Sequence, residues 1–210
     1  MIFLYGISDV YDPLAQPVEH LTFNQRVRRS NRLRVTILNS QDERKFIFFN
    51  KRRSKMIKIL FVCLGNICRS PMAEFVFKDL VKKSHLEDKF LIQSAATSNE
   101  EAGNPVHIGT KNKLAQYNIS TENKTSVPII KSDYDKYDYI IAMETRNITN
   151  ILKVVKNDPL NKIYRLLDFT DEPRDIADPW YTHNFDKTYD DIFEGCLSLL
   201  KHIKEKYDLN

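Results

Sequence analysis

Residues 57–71 read IKILFVCLGNICRSP, and this stretch decides the fold. Its first six residues form a short apolar run, which predicts a buried parallel strand. Ser70 and Pro71 then predict the start of a helix, because a serine can cap free backbone N–H groups and a proline fits the first helical turn. Apolar residues at helical spacing extend that helix to about Lys83. The stretch therefore predicts a strand, a tight loop and a helix, in that order.

The alternation of strand and helix continues toward the end of the chain. Further strands are predicted at 90–96, 137–143 and 162–166, and further helices at 105–117 and 144–156. A last helix carries an apolar stripe, made of Tyr189, Ile192, Phe193, Cys196, Leu199, Leu200 and Ile203. The pattern predicts an α/β fold: a doubly wound, open, four-stranded parallel sheet with helices on both faces. Such sheets bind ligands beyond the C-terminal ends of their strands, which is where Cys63 falls.

Charge divides the chain at Lys55 and Met56. Residues 1–55 hold eleven basic and five acidic side chains, a net charge of +6, so the +4 of the whole chain leaves −2 for residues 56–210. We therefore expect a basic N-terminal extension over 1–55 and an α/β domain over 56–210. The basic charge belongs to the extension and does not indicate nucleic-acid binding by the domain.

Composition excludes several classes of protein. With 42% hydrophobic residues, 5 glycines and 8 prolines in 210 residues, the chain is neither collagen-like nor wholly disordered. No apolar run approaches the roughly 18 residues of a membrane span, so we expect no membrane association. Three cysteines, with no basic segment ahead of the apolar first residues, predict a cytoplasmic protein. Neither a nucleotide-binding G-x-x-x-x-G-K-[ST] motif nor a zinc-site spacing occurs, so we expect no cofactor and no metal.

The loop from Cys63 to Arg69 has the features of an oxyanion cradle. A helix N-terminus supplies free N–H groups and a partial positive charge. Gly65 lets the backbone turn, and Asn66 tolerates a left-handed conformation. Arg69 can bind two phosphate oxygens through its planar guanidinium. The same field favours a Cys63 thiolate, and Ser70 can donate a hydrogen bond to it, so the loop predicts a nucleophile that attacks phosphate esters.

The residues VCLGNICRSPMAE, from Val62 to Glu74, resemble the signature loop of the low-molecular-weight protein tyrosine phosphatases nearly residue for residue. The resemblance spans Met56 to about Tyr207. It includes Ser94-Ala95-Ala96-Thr97, Gly103-Asn104-Pro105 and Asp178-Pro179-Trp180-Tyr181. It implies a nucleophilic Cys63, a phosphate-binding Arg69, and an Asp178 that acts as general acid and then as general base. It also implies a phosphate-binding loop made of Leu64, Gly65, Asn66, Ile67, Cys68 and Ser70.

The resemblance implies further roles around this loop. In the family, serines hold the residue that matches Asn66, and Ser70 and Ser94 match two of them. A family histidine that supports this network would fall near Asn123, where this sequence has no histidine. Cys68 matches a cysteine that can form a protective disulfide with the nucleophile on oxidation; a small apolar filler is the alternative.

The substrate follows from the walls of the cleft. Trp180, Tyr181 and Ile67 would form an apolar slot for a phenyl ring, so we expect phosphotyrosine-containing proteins as partners and phosphate as product and inhibitor. Related bacterial enzymes that hydrolyse phosphoarginine carry threonine where Ile67 stands, which favours phosphotyrosine here. If Asp178 is not the acid, Asp175 or Asp171 is the alternative.

Three other functions compete with this one. The first is a phosphoarginine phosphatase, and the second is an arsenate reductase on the same fold, which needs two further cysteines after the nucleophile. Beyond Cys68 only Cys196 remains. The third is an inactive phosphate-binding interaction module, which loss of the cysteine, the arginine or the aspartate would indicate. All three residues are present.

Residues 1–55 are expected to be disordered or to result from a wrongly assigned start. The segment AQPVEHLTFNQRV, 15–27, resembles the peptide obtained by conceptual translation of a transfer-RNA gene. The segment KRRSKM, 51–56, can be back-translated into a ribosome-binding sequence just ahead of an ATG at Met56. A genuine basic arm that binds nucleic acid or an anionic membrane surface is the alternative.

Overall fold

A computed structural model describes residues 34–36, 47–49 and 56–209. Strands β1 (Arg34–Thr36) and β2 (Ile47–Phe49) pair antiparallel. The chain divides into a unit that ends at Arg53 and a unit that begins at Ser54. The expectation that residues 1–55 are disordered or wrongly assigned lies, apart from these two short strands, outside the described residues.

The second unit contains a four-stranded sheet with all strands parallel, in the order β4-β3-β5-β6. The strands are β3 (Ile57–Cys63), β4 (Phe90–Ala96), β5 (Tyr139–Ala142) and β6 (Ile163–Arg165). The helices are α1 (Arg69–Lys83), α2 (Ile108–Ala115), α3 (Asp133–Lys136), α4 (Thr145–Val155), α5 (Pro179–Thr182) and α6 (Phe185–Tyr207), with 3₁₀ turns at Glu87–Lys89 and Leu166–Phe169. The predicted open four-stranded parallel sheet is confirmed.

Helices cover both faces of the sheet. Successive residues of the central strand β3 point to opposite faces, so each face of the strand contacts a different set of helices. Ile59 and Phe61 pack in one buried cluster with residues of α1 and α6. Leu60 and Val62 pack in a second cluster with Ile151 of α4. These alternating contacts explain why the β3 segment is apolar at nearly every position.

The order of the strands places the ligand crevice at the end of β3. This strand lies between β4 and β5, so the connections that follow β3 and β4 leave in opposite directions along the sheet. Cys63 is the last residue of β3 and pairs in register with Ala96 of β4. In the described part of the chain, no helix is both long enough and apolar enough to cross a membrane.

Candidate active site

The Cys63 sulfur lies inside the loop that connects β3 to α1. The backbone N–H of Asn66 donates to Sγ over 3.2 Å, and Oγ of Ser70 lies 3.1 Å from the same sulfur. The carbonyl of Cys63 accepts from the Thr97 N–H at 2.9 Å, which fixes the end of the strand. The side chain is 3% exposed. The buried sulfur thus accepts from one backbone N–H and lies within hydrogen-bond distance of one hydroxyl.

The left-handed residue of the loop is Asn66, with φ of 55°, as its side-chain type predicts. Gly65, which the sequence assigns to the turn of the backbone, has no positive φ. Its role is a close approach: a Cβ at position 65 would lie 3.1 Å from Cγ of Glu101. The carbonyl of Gly65 accepts from Oγ of Ser126 at 2.8 Å.

Ser70 does not cap the helix, contrary to the prediction. Helix α1 begins at Arg69, its N-cap residue is Cys68, and no side chain caps it. Ser70 lies in the first turn, and its hydroxyl faces the Cys63 sulfur and the amide of Asn66. The Ser70 side chain therefore contacts the Cys63 sulfur and does not cap the helix terminus.

A buried hydrogen-bond network lies behind the loop. The amide nitrogen of Asn66 donates to the hydroxyls of Ser70 and Ser94, over 2.8 Å each. The amide oxygen of Asn66 accepts from the Val127 N–H at 3.2 Å. Asn66, Ser70 and Ser94 are each 1% exposed or less. The structure thus brings together the asparagine and the two serines that the resemblance singles out.

Arg69 is 1% exposed, and its guanidinium contacts three other segments of the chain. Nη1 donates to the Ile176 carbonyl at 3.0 Å, and Nη2 donates to Glu144 at 3.2 Å and to the Asp178 carboxylate. Its Nε is buried without a hydrogen-bond partner among the described residues, which leaves one N–H for an anion. Burial lowers the pKa of Arg69, but the negative charges of Cys63, Asp178 and Glu144 outweigh burial and raise it. The guanidinium is therefore a permanent cation of the site.

Asp178 is the N-cap residue of the short helix α5, where Pro179 occupies the first helical position. One carboxylate oxygen accepts from the Trp180 N–H at 3.1 Å, and the other accepts from Arg69. The other acids considered from the sequence, Asp171 and Asp175, do not line the cavity beside Cys63. Asp175 instead accepts from Arg165 and Thr145 at 2.9 and 3.0 Å.

Cys63, Arg69 and Asp178 open onto one cavity of about 170 Å³. Its other lining residues are Leu64, Gly65, Ile67, Cys68, Glu100, Glu101, Trp180 and Tyr181. Trp180 and Tyr181 are 50% and 71% exposed, so these two aromatic rings form the outer wall. The two glutamates are a feature that sequence reasoning missed, since nothing in their local pattern places them at this rim.

His107 is a second residue that sequence reasoning missed, because it belongs to none of the motifs. Its ring is half-buried and packs edge-on against Trp180 and stacked on Phe185, with centroid distances of 5.7 and 5.3 Å. Its Nδ1 caps α2 by accepting from the Gly109 N–H at 3.1 Å. His107 thus links α2 to the wall of the cavity. Among the described residues, no group of three or more His, Cys, Asp or Glu side chains is arranged to hold a metal.

The other two cysteines are buried free thiols. Burial raises the pKa of Cys68 to about 12, with further contributions from the nearby Cys63 and Asp178. Burial also raises the pKa of Cys196, whose sulfur lies 3.8 Å from the Ala73 carbonyl on the face of α1. Both thiols are therefore neutral at physiological pH, and of the two only Cys68 lines the cavity.

Comparison with known sequences identifies relatives over the same region. A family model for low molecular weight phosphotyrosine protein phosphatases matches residues 58–209. The low molecular weight protein-tyrosine-phosphatase YfkJ of Bacillus subtilis is 41% identical over 156 residues, which cover 73% of this chain and all of that protein. The low molecular weight protein-tyrosine-phosphatase PtpA of Staphylococcus aureus is 36% identical over 155 residues, covering 73% of this chain and 98% of that protein.

Solved structures agree with the sequence matches. The crystal structure of YfkJ superimposes with a TM-score of 0.71 over 73% of this chain and 98% of that chain. The crystal structure of DARP, a Drosophila arginine phosphatase, is 32% identical, with a TM-score of 0.64 over 70% of this chain and 98% of that chain. Because the family model covers most of the chain and relatives above 30% identity align over nearly their whole length, this chain belongs to the low molecular weight phosphotyrosine protein phosphatase family.

Proposed function

We propose that this protein hydrolyses phosphotyrosine in proteins through a phosphocysteine on Cys63, with Arg69 binding the phosphoryl group and Asp178 acting as general acid and then as general base. One observation carries the proposal: a thiol and a guanidinium from the same loop, and a carboxyl group from a distant segment, line the same 170 Å³ cavity. Membership of the phosphatase family supports the reaction class. The predicted partners follow, namely phosphotyrosine-containing proteins, with phosphate as product and inhibitor.

In the first step, the Cys63 thiolate attacks phosphorus and the bond from phosphorus to the phenolic oxygen breaks. Arg69 and the loop N–H groups bind the non-bridging oxygens, whose charge they neutralise. The protonated Asp178 gives its proton to the departing phenolate oxygen, a contribution on the order of 10²–10⁴-fold. The products are a phosphocysteine, tyrosine and an Asp178 carboxylate.

In the second step, the Asp178 carboxylate takes a proton from water while the water oxygen attacks phosphorus. The P–S bond breaks, Cys63 leaves as a thiolate, and inorganic phosphate is released. The Ser70 hydroxyl and the Asn66 N–H, at 3.1 and 3.2 Å from the sulfur, support that leaving group. Asp178 ends the cycle protonated, so both residues are regenerated.

Phosphotyrosine is favoured by the wall of the cavity, where Ile67, Trp180 and Tyr181 offer apolar surface to a phenyl ring. Phosphoarginine is the second candidate substrate, and two observations favour it. Glu100 and Glu101 place carboxylates at the rim, where a guanidinium could pair with them. The fold is also similar to that of a Drosophila arginine phosphatase.

Arsenate reduction and phosphate binding without catalysis have less support. An arsenate reductase needs a relay of thiols, and Cys196 is fully buried between α6 and α1, away from the cavity. An inactive binding module is disfavoured because the thiol, the guanidinium and the carboxyl group are all present at the cavity. Three free thiols in residues 56–209 fit a reducing compartment, which supports a cytoplasmic location.

Turnover of para-nitrophenyl phosphate, a phosphotyrosine peptide and a phosphoarginine peptide in EDTA tests the proposal. We expect EDTA to leave the rates unchanged. Cys63→Ser should abolish turnover yet still bind vanadate, whereas Arg69→Ala should lose both. Asp178→Asn should slow phenyl phosphate far more than para-nitrophenyl phosphate, because a poor leaving group needs the proton more. More than a trace of activity in Cys63→Ser would rule out the covalent mechanism.

A further inference from the structure

Glu74 is a buried acid that forms one end of the network behind the loop. It lies in the second turn of α1 and is 4% exposed. Its Oε2 accepts from Oγ of Ser94 at 2.6 Å. Two cations neutralise it: Lys78 contacts Oε1, and Nζ of Lys124 lies 3.3 Å from Oε2. A buried carboxylate needs such partners, because an unpaired buried charge is strongly destabilising.

The Glu74 carboxyl group, which is paired with two lysines, fixes the direction of the hydrogen bonds that follow. A carboxylate accepts only, so Ser94 must give its hydroxyl proton to Glu74 and accept from Asn66 with its oxygen. The Val127 N–H donates to the amide oxygen of Asn66, so the amide nitrogen faces the serines. Both N–H groups of that nitrogen are then donated, one to Ser94 and one to Ser70.

The last link of the chain is Ser70. Its oxygen accepts from Asn66, so its own proton is free to point at an acceptor. The Cys63 sulfur lies at 3.1 Å, whereas the other acceptor, the Ala95 carbonyl, lies at 3.4 Å. With Glu74 accepting from Ser94, every link favours donation from the Ser70 hydroxyl to the sulfur.

Lys124 is the inner cation of the pair that holds Glu74. Its side chain is 14% exposed, against 43% for Lys78, so its charge is less screened by water. Its Nζ also donates to the Ser94 carbonyl at 3.0 Å, which ties it to β4. Lys124 borders a second cavity, of about 390 Å³, and Lys136 borders the same cavity. The sequence has no histidine near Asn123, where the family has one that supports the network. The adjacent Lys124 contacts Glu74 and Ser94 of that network.

We propose that Lys124 is a positioning residue, which holds the Glu74 carboxyl group against Ser94 and thereby orients the Ser70 hydroxyl, through Ser94 and Asn66, toward the Cys63 sulfur. The kinetic part of this proposal rests on the proposed function. Lys124 touches neither substrate nor sulfur, so its effect is on the charge of the sulfur as it attacks and leaves. We therefore expect its loss to lower kcat more than it raises KM.

The test compares Lys124→Met, Lys124→Arg and the matched control Lys136→Met. Lys136 borders the same cavity but contacts Gln93, at 3.1 Å, and has no contact with Glu74. We expect Lys124→Met to lower kcat for para-nitrophenyl phosphate about tenfold with KM within about twofold, since losing a direct oxyanion donor costs 10²–10³ and this effect is indirect. Lys124→Arg should recover most of the rate, and Lys136→Met should behave as wild type.

Alkylation of Cys63 by iodoacetamide at pH 6.5 gives a second readout that needs no phosphatase activity. Cys68 and Cys196 have raised pKa values because they are buried, so labelling reports Cys63. Lys124→Met should slow labelling about tenfold, and Lys124→Gln replaces it if the methionine variant does not fold. Unchanged labelling, equal losses in the Met and Arg variants, or an equal loss in Lys136→Met would each overturn the proposal. If labelling follows Lys124 but the wild type hydrolyses no phosphate ester, the positioning role stands and the proposed function fails.

Discussion

Nη2 of Arg69 donates a hydrogen bond to the carboxylate of Asp178, so the cation assigned to phosphate and the acid assigned to the leaving group touch each other. A bound oxyanion must share Arg69 with this carboxylate and bear its repulsion. We therefore expect Asp178→Ala to bind vanadate about threefold to tenfold more tightly than wild type, while turnover falls strongly, because the competing negative charge is gone. Vanadate inhibition of residual turnover, or calorimetry, measures this. Weaker binding in Asp178→Ala would mean that the carboxylate orders the site more than it competes.

Asp175 fixes the position of the loop that carries Asp178. The two residues are three positions apart in the chain. Its Oδ1 accepts from the backbone N–H and hydroxyl of Thr145, each at 3.0 Å, and from Arg165. Asp175→Asn removes the charge that these donors bind. We expect kcat to fall about threefold to tenfold with little change in KM, because Asp178 is less well positioned. An unchanged kcat would show that the contact of Asp178 with Arg69 suffices to hold the loop.

The same substitution has a pH signature in stability. Burial raises the pKa of Asp175, but hydrogen bonds from Arg165 and Thr145 outweigh it and hold the pKa below its ordinary value. A lowered folded-state pKa stabilises the protein above the unfolded value, near 3.9, and this stabilisation is lost as pH falls through the folded-state pKa. Wild type should therefore be more stable than Asp175→Asn at pH 7, and the gap should close below about pH 4. Urea denaturation at pH 7 and pH 3 measures both gaps.

Cys68 is expected to close a disulfide with Cys63 after oxidation. Peroxide converts the Cys63 thiolate to a sulfenic acid, and the Cys68 sulfur then displaces hydroxide to form the S–S bond. Because burial raises the pKa of Cys68, only its small thiolate fraction attacks, so closure should accelerate as the pH rises, by up to about tenfold per pH unit. Cys68→Ser should lose the recovery of activity with dithiothreitol. Recovery equal to wild type would assign Cys68 to packing alone.

Ile67 should set the choice between the two candidate substrates. Its side chain lines the cavity together with Trp180 and Tyr181. We expect Ile67→Thr to raise the ratio of kcat/KM for phosphoarginine over phosphotyrosine peptides by about tenfold, since a lost apolar contact is worth 1–3 kcal/mol to the phenyl ring. Ile67→Val, which keeps the apolar surface, is the matched control. An equal ratio in both variants would show that Ile67 does not set the substrate preference, and would leave Glu100 and Glu101 as the candidates.

The N-terminal proposal is tested by peptides from the native protein. The family match begins at residue 58, just after Met56. If translation begins at Met56, mass spectrometry should find no tryptic peptide that ends at Arg26 or Arg44. A chain that begins at Met56 should also keep the wild-type kcat and melting temperature. Either of those two peptides would establish that the extension is made.

The strand, loop and helix around Cys63 could be predicted from the sequence because local signals agree there: an apolar run, then a helix start with Ser70 and Pro71. The prediction for α2 began at 105, whereas the helix begins at Ile108. Pro105 is instead held by an isolated bridge to Thr125, a distant partner that no local pattern contains. Helices α3 and α5 have four residues each, which is too short for a periodic signal.

The site shows the same limit. The positions of Cys63, Arg69 and Asp178 were predictable because motif residues mark them. The contacts of His107 and Lys124 were not, because each depends on which side chain a distant segment brings near. Ser70 was predicted in part: its hydroxyl lies beside the Cys63 sulfur as expected, but the helix cap that its type predicted is absent.

The burial of Cys196 between α6 and α1 affects how long the oxidised protein would stay inactive. Once Cys63 and Cys68 are joined, no other thiol in residues 56–209 can reach the bond, since the sulfur of Cys196 is sealed against Ala73. Residues 56–209 therefore contain no further thiol that could reduce this disulfide. An external dithiol reductant would have to reduce the disulfide. The time for which the oxidised enzyme stays inactive would therefore depend on the supply of that reductant in the cell.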